Sequence, residues 1–138
     1  MRPIRAGARA GDEAGSASAE LVVATPLLLL LVLGVIQFAL WQHASHVAQA
    51  AAQQGLAAGR VQGGSEQSAT AQAAALLDQT GSGVLVHPDI TATRDAQTTT
   101  VVVSGQAEGI IPFLSLPVRS TAAGPTERWT TPAQGQGP

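Results

Sequence analysis

Hydrophobic and polar positions divide the chain sharply. From Leu21 to Trp41 there is no charged residue, and a leucine block, Leu27 to Leu31, stands at the centre. About 21 helical residues rising about 1.5 Å each give roughly 31 Å, close to the ~30 Å hydrocarbon thickness of a bilayer. Glu20 stands at the mouth of this run. Pro26 falls in the expected first turns, where a missing N–H costs little. Gln37 is a polar side chain on an otherwise apolar helix, Gly34 offers a close-packing point, and Trp41 suits the far interface.

After the run the pattern changes twice. Gln42 to Arg60 is rich in Ala and Gln without proline, which predicts a continuation of the same helix. Ala44, Val47, Ala51 and Ala58 form a weak apolar stripe at helical spacing. Gly55 and Gly59 loosen its end and Gly63-Gly64 stops it. Ser65 reads as an N-cap with Glu66 in the first turn. Ala69, Ala73, Leu76 and Leu77 give this second helix an apolar face, and Gly81 is its expected left-handed terminus. β-Branched residues then dominate. Val84 to Thr93 and Thr98 to Gln106 read as strands joined by a turn at Arg94–Gln97. Pro117 to Arg128 reads as a third, edge strand, poorly paired because of its prolines and glycine. The expected class is α+β: a long N-terminal transmembrane helix continuing outward, a second short helix, then a small antiparallel sheet of two or three strands.

Composition narrows the function. The 138 residues leave room for one small domain beside the anchor. Aromatics are 3% against 45% hydrophobic residues, so Ala, Val and Leu must fill the core. Cysteine is absent, which removes disulfides, thiolate nucleophiles and thiolate metal sites. All seven basic residues are arginine and the formal charge is -2, so nucleic-acid binding has no electrostatic footprint. Arg2, Arg5 and Arg9 precede the apolar run and the next basic residue is Arg60, which predicts a cell-membrane protein with a cytoplasmic N-terminus and an exported C-terminal domain. The Ala-, Gly- and Arg-rich, lysine-free composition resembles that of a GC-rich bacterial genome. A cleavable secretory signal is the lesser reading. Its apolar core is normally shorter, and the small-residue site at Ala48-Gln49-Ala50 lies well past the run.

Four constellations invite chemistry. In Gly15-Ser16-Ala17-Ser18-Ala19-Glu20, a cut after Gly15 makes Glu20 the fifth residue of the mature chain. A carboxylate at the bilayer edge then needs a positive partner, which the new amine of Ser16 on a neighbouring subunit supplies. The competing reading is a plain helix start, with Ser18 as N-cap and Glu20 in the first turn. His43 and His46 are spaced to hold a metal but have no carboxylate near them in sequence, so two interfacial histidines are the expectation; His87 before Pro88 reads as a strand-end residue. Gly55 and Gly59 match a small-xxx-small helix contact, with fraying as the favoured alternative. Ile110, Ile111, Phe113 and Leu114 form an apolar loop, either a partner loop or, by preference, a flap closing the core. No nucleophile elbow, phosphate loop or cluster of catalytic groups appears, so the expectation is a non-enzymatic protein without cofactor, metal or small-molecule substrate.

The segment Gly15 to Phe38 resembles the N-terminal signature of the TadE-like family: a Gly/Ser/Ala lead, Glu20 before aliphatics, Pro26 a few residues on, and an apolar span ending near Gly34 and the Gln37-Phe38 pair. That resemblance implies a pseudopilin-like component of a Flp, or tight-adherence, pilus assembly system, related to type II and type IV secretion machinery. It implies Gly15 and Ser16 as the prepilin-peptidase processing site and Glu20 as the carboxylate that sets subunit register. Pro26, Gly34 and Gln37 become helix-packing positions. The implied partners are the bilayer, other pilus assembly subunits and prepilin peptidase. The expected division is a cytoplasmic leader over 1–19, a transmembrane helix over 20–41, an extracytoplasmic pilin-like domain over 42–128 and a disordered tail over 129–138. A membrane-anchored extracytoplasmic binding protein, with its site at Thr98–Thr100 and the Ile110 loop, is the alternative.

Overall fold

The computed structural model describes residues 10–130. The arginines at 2, 5 and 9 and the tail from 131 lie outside them. Helix α1 runs from Ala10 to Arg60, α2 from Glu66 to Leu76, and a π-helical turn follows over Leu77–Gly81. Strands β1 (Leu85–Arg94), β2 (Thr98–Ala107) and β3 (Leu116–Pro125) form one antiparallel sheet in the order β1-β2-β3. The α+β class and the order of its elements are as expected. The chain resolves into two units, one running to Gln37 and one starting at Phe38.

In the first unit, α1 is an apolar cylinder with its side chains outside: Leu21 is 70% exposed and Leu28 62%. Pro26 is well inside the helix, not in its first turns, because α1 begins at Ala10. Its ring removes the N–H that would reach the Val22 carbonyl. One residue earlier, the Thr25 hydroxyl donates to the Leu21 carbonyl at 2.7 Å.

The second unit is a two-layer sandwich of helix on sheet. From Ala44 the helix buries a stripe at i, i+3 and i+4 spacing: Ala44, Val47, Ala48, Ala51, Ala52 and Leu56 are all buried. The stripe is broader than the four residues read from sequence, and Ala58 lies only at its margin. Ala69, Ala73 and Leu77 come from the next helical segment, and Val101, Val103, Ala107, Val118 and Ala122 from the sheet. Small side chains let the layers approach closely. A Cβ added at Gly59 would lie 2.8 Å from the Ala69 Cβ, and one at Gly55 would lie 2.8 Å from the Ala69 carbonyl oxygen and 3.2 Å from Val101 Cγ1. Gly55 and Gly59 are therefore a helix contact within the chain, not a frayed end.

Local signals terminate each element. Ser65 caps α2 through a reciprocal pair with Ser68: the Ser68 N–H donates to Ser65 Oγ at 3.0 Å, and the Ser65 N–H to Ser68 Oγ at 2.9 Å. Glu66 accepts the Arg94 backbone N–H at 2.9 Å. The Arg94 guanidinium donates to the carbonyls of Val61 and Gly64, just past the C-terminus of α1, where carbonyls lack helical partners and positive charge is favoured. The second helical segment stops at Gly81 as expected, but the left-handed glycine of that turn is Gly83, with φ 85°.

The sheet departs from expectation at two points. β3 pairs with β2 along its whole length, from Leu116↔Ala107 to Pro125↔Thr98. Pro117 and Pro125 are separated by an even number of residues, so both turn their missing N–H to the same side of the strand. The Pro117 carbonyl points away from β2, since it accepts the Trp41 indole N–H at 3.1 Å. In an antiparallel strand N–H and C=O of one residue point the same way, so neither proline interrupts the ladder. His87 is not at a strand end. It lies inside β1, in a bulge where register shifts between Val86↔Gln106 and Asp89↔Ser104, and it holds a left-handed φ of 51°. Gly105 faces the bulge; a Cβ there would meet Leu85 Cγ at 2.9 Å.

The β1–β2 turn is closed by Asp95. Its carboxylate accepts the N–H groups of Gln97 and Thr98, each at 2.7 Å. These bonds, Gln97's first, hold its pKa below the usual carboxylate value. The folded value is depressed, so the contribution is complete above the ordinary pKa of about 3.9 and disappears as pH falls through the lowered one. Replacing Asp95→Asn should lower the urea midpoint at about pH 6 and leave it nearly unchanged at about pH 2. An identical decrement at both values would assign the loss to shape instead of charge.

Candidate functional site

Gly15 and Ser16 lie within α1, as does Glu20, and all three are exposed on its surface. Ser16 and Glu20 are four residues apart and so share one face of the helix. A Cβ added at Gly15 would meet nothing within 4 Å. The alternative helix start with Ser18 as N-cap is corrected: α1 begins eight residues earlier, and Ser18 is an interior residue. Gly34 is equally open, with nothing within 4 Å of an added Cβ. Gln37 differs from both. It is 2% exposed.

Phe38 and Trp41 follow on the next turn, with ring centroids 5.8 Å apart and planes tilted by 39°. Trp41 is half-buried against the domain core while its indole N–H reaches β3. This is an amphipathic setting suited to an interface between lipid and water.

The Ile110–Leu114 loop does not close the core. Ile110 and Leu114 are exposed, and the Phe113 ring is fully so, at a left-handed φ of 68°. The inner face of the sheet is already covered by alanine-lined helices. The loop borders an open recess of about 420 Å³ that also includes Val86, Gln106 and Glu108. Thr98–Thr100 does not contribute to it. Those residues occupy the opposite end of β2, about 20–26 Å from Gln106 at about 3.3 Å per residue. The binding site expected from the Thr-rich strand together with the Ile110 loop is therefore not assembled.

His46 Nε2 lies 3.0 Å from the Gln42 amide nitrogen on the same helix. Among the described residues, no group of three or more His, Asp or Glu side chains gathers in metal-binding geometry. The small-residue site Ala48-Gln49-Ala50 is in the middle of α1, and Ala48 is fully buried in the core. A peptidase would have to dismantle the domain to cut there.

These features define a class: among the described residues, one helix is long and apolar enough to cross a membrane, and a helix-on-sheet domain follows in the chain. A soluble protein's core helix would pass the same test of length but would be buried, whereas this span has its leucines outside. Within that class, the family model described as TadE-like protein matches residues 15–56, so this segment of the chain is similar to that family. The match opens on Gly15 and takes in Glu20, Pro26, Gly34, Gln37 and the buried stripe as far as Leu56. No curated protein and no solved structure matches the chain significantly.

Proposed function

We propose that the protein is a non-enzymatic, pseudopilin-like membrane component of a Flp or tight-adherence pilus assembly or secretion system. The observation that carries this reading is the TadE-like match over residues 15–56, which covers Glu20 and the whole apolar span. The exposed leucines of α1 support a single membrane crossing, because leaving each in water would forfeit about 1.5–3 kcal/mol. The arginine asymmetry favours an N-terminus in the cytoplasm and the sheet domain outside. In this reading prepilin peptidase cuts between Gly15 and Ser16, Glu20 sets the axial register of packed subunits, and the exported domain docks other assembly proteins.

N-terminal sequencing of the protein purified from membranes tests the mechanism. The expected first residue is Ser16. A start at Met1 or Arg2 would leave a membrane anchor and remove the pseudopilin step.

A further inference from the structure

Within the second unit, the contacts of α1 with β3 fix which end of the sheet lies at Trp41. Trp41 closes the apolar run and donates to the Pro117 carbonyl. Farther along, Leu56 packs at Gly124, and the Arg60 carbonyl accepts the Glu127 N–H at 2.8 Å. From Trp41 to Leu56 the helix advances about 22 Å, and from Pro117 to Gly124 the strand advances about 23 Å. Helix and strand therefore run side by side in the same direction. Continuing backward from Pro117 leads past Leu116 into the loop that joins β2 to β3. That loop therefore lies at the Trp41 end of the unit, and Trp41 is the residue that closes the apolar run in the sequence.

Its chemistry suits that position. Gly109 to Pro117 reads Gly-Ile-Ile-Pro-Phe-Leu-Ser-Leu-Pro, with no charge; Glu108 precedes it and Arg119 follows. Ile110, Phe113 and Leu114 are exposed together. A left-handed backbone is costly for a phenylalanine, and here it serves to display the ring. We propose that the Ile110–Leu114 loop inserts into the lipid interface beside Trp41, as a second, shallow anchor that fixes the tilt of the domain on the membrane. The occupant of this apolar patch is the acyl and headgroup boundary of the bilayer that α1 crosses. This inference rests on the membrane-anchored reading of α1.

Because the chain has no cysteine, single-cysteine labels report without interference. The full chain would carry Phe113→Cys, Ile110→Cys, Thr93→Cys or Leu29→Cys, each with an environment-sensitive fluorophore. It would be reconstituted in phosphatidylcholine–phosphatidylglycerol vesicles with and without nitroxide lipids. Labels at 113 and 110 should be quenched several-fold more by shallow nitroxide lipids than a label at 93, at the far end of the sheet. Aqueous iodide should reverse that order. Quenching of both loop labels by iodide and not by nitroxide overturns the proposal, as does protection from both, which would assign the loop to a protein contact. The label at 29 separates the two readings: if it too is reached by iodide, the anchor itself is wrong; if it is shielded while 113 is not, only the loop insertion fails.

Discussion

Gly59→Val should unfold the helix-on-sheet domain at temperatures where the parent chain is intact. Adding only a Cβ at Gly59 brings it to 2.8 Å from the Ala69 Cβ and 3.2 Å from Thr99 Cγ2. Ala69 Cβ is fixed to the backbone of α2 and cannot swing aside, so α2 itself must move. Valine adds two methyls to the same space. Helix propensity favours valine over glycine by a few tenths of a kcal/mol, whereas overpacking costs about 1–3 kcal/mol and sometimes more. Overpacking wins because the core is built from alanines and valines, with few long side chains to absorb a shift. For a domain of this size, 2–3 kcal/mol lowers the melting temperature by about 10–20 °C. Gly34→Val provides the control within the same helix, since a Cβ there meets nothing within 4 Å. Circular dichroism melts in detergent should separate the two variants clearly. If Gly59→Val melts within about 2 °C of the parent, the close approach of α1, α2 and β2 is not present.

The same glycines show where sequence reading stops. In an Ala- and Gln-rich helix, Gly55 and Gly59 look like weak points, because propensity is local and the partner that needs the space lies on α2 and β2. The strands were legible because β-branched residues cluster there and Asp95 stands in the turn. Inner and outer faces alternate cleanly along β2 and β3: Val101, Val103, Val118 and Ala122 are buried while Arg119, Thr121 and Ala123 are exposed. The bulge at His87-Pro88 was not legible, since it resets the alternation for one strand only and is recognised by its pairing with Gly105. Prolines in β3 argued against pairing until strand parity showed both on the outward side. The place of the apolar loop is not legible in the sequence for a physical reason. Hydrophobicity says that Phe113 seeks a nonaqueous setting, but it does not say whether that setting is the core or something outside the chain. At the N-terminal end, Gly15 and Ser16 open the TadE-like match, while a helix begun at Ala10 replaces the Ser18 cap.

Glu20→Ala should leave membrane insertion intact and reduce pilus output by at least tenfold. Insertion gains from losing a charge, which at the helix centre costs about 2.5–3.5 kcal/mol and at the boundary less. A carboxylate kept at this depth contributes through what pairs with it. On the pseudopilin reading, that partner is the amine released at Ser16 of an adjoining subunit. Ser16 and Glu20 are both exposed on α1 and share a face, so a neighbouring helix displaced by about 6 Å, four residues of rise, brings one chain's amine level with the next chain's carboxylate. A tenfold change in assembly corresponds to about 1.4 kcal/mol, a modest demand on an ion pair shielded from water. Glu20→Gln keeps the shape and loses the charge, so it should fail as the alanine variant does, whereas Glu20→Asp should retain part of the output. Membrane fractionation of each variant, alongside counts of assembled pili, separates the two steps. Unchanged pilus output from Glu20→Ala would remove the carboxylate from the assembly mechanism, and loss of the protein from the membrane fraction would move its role to insertion.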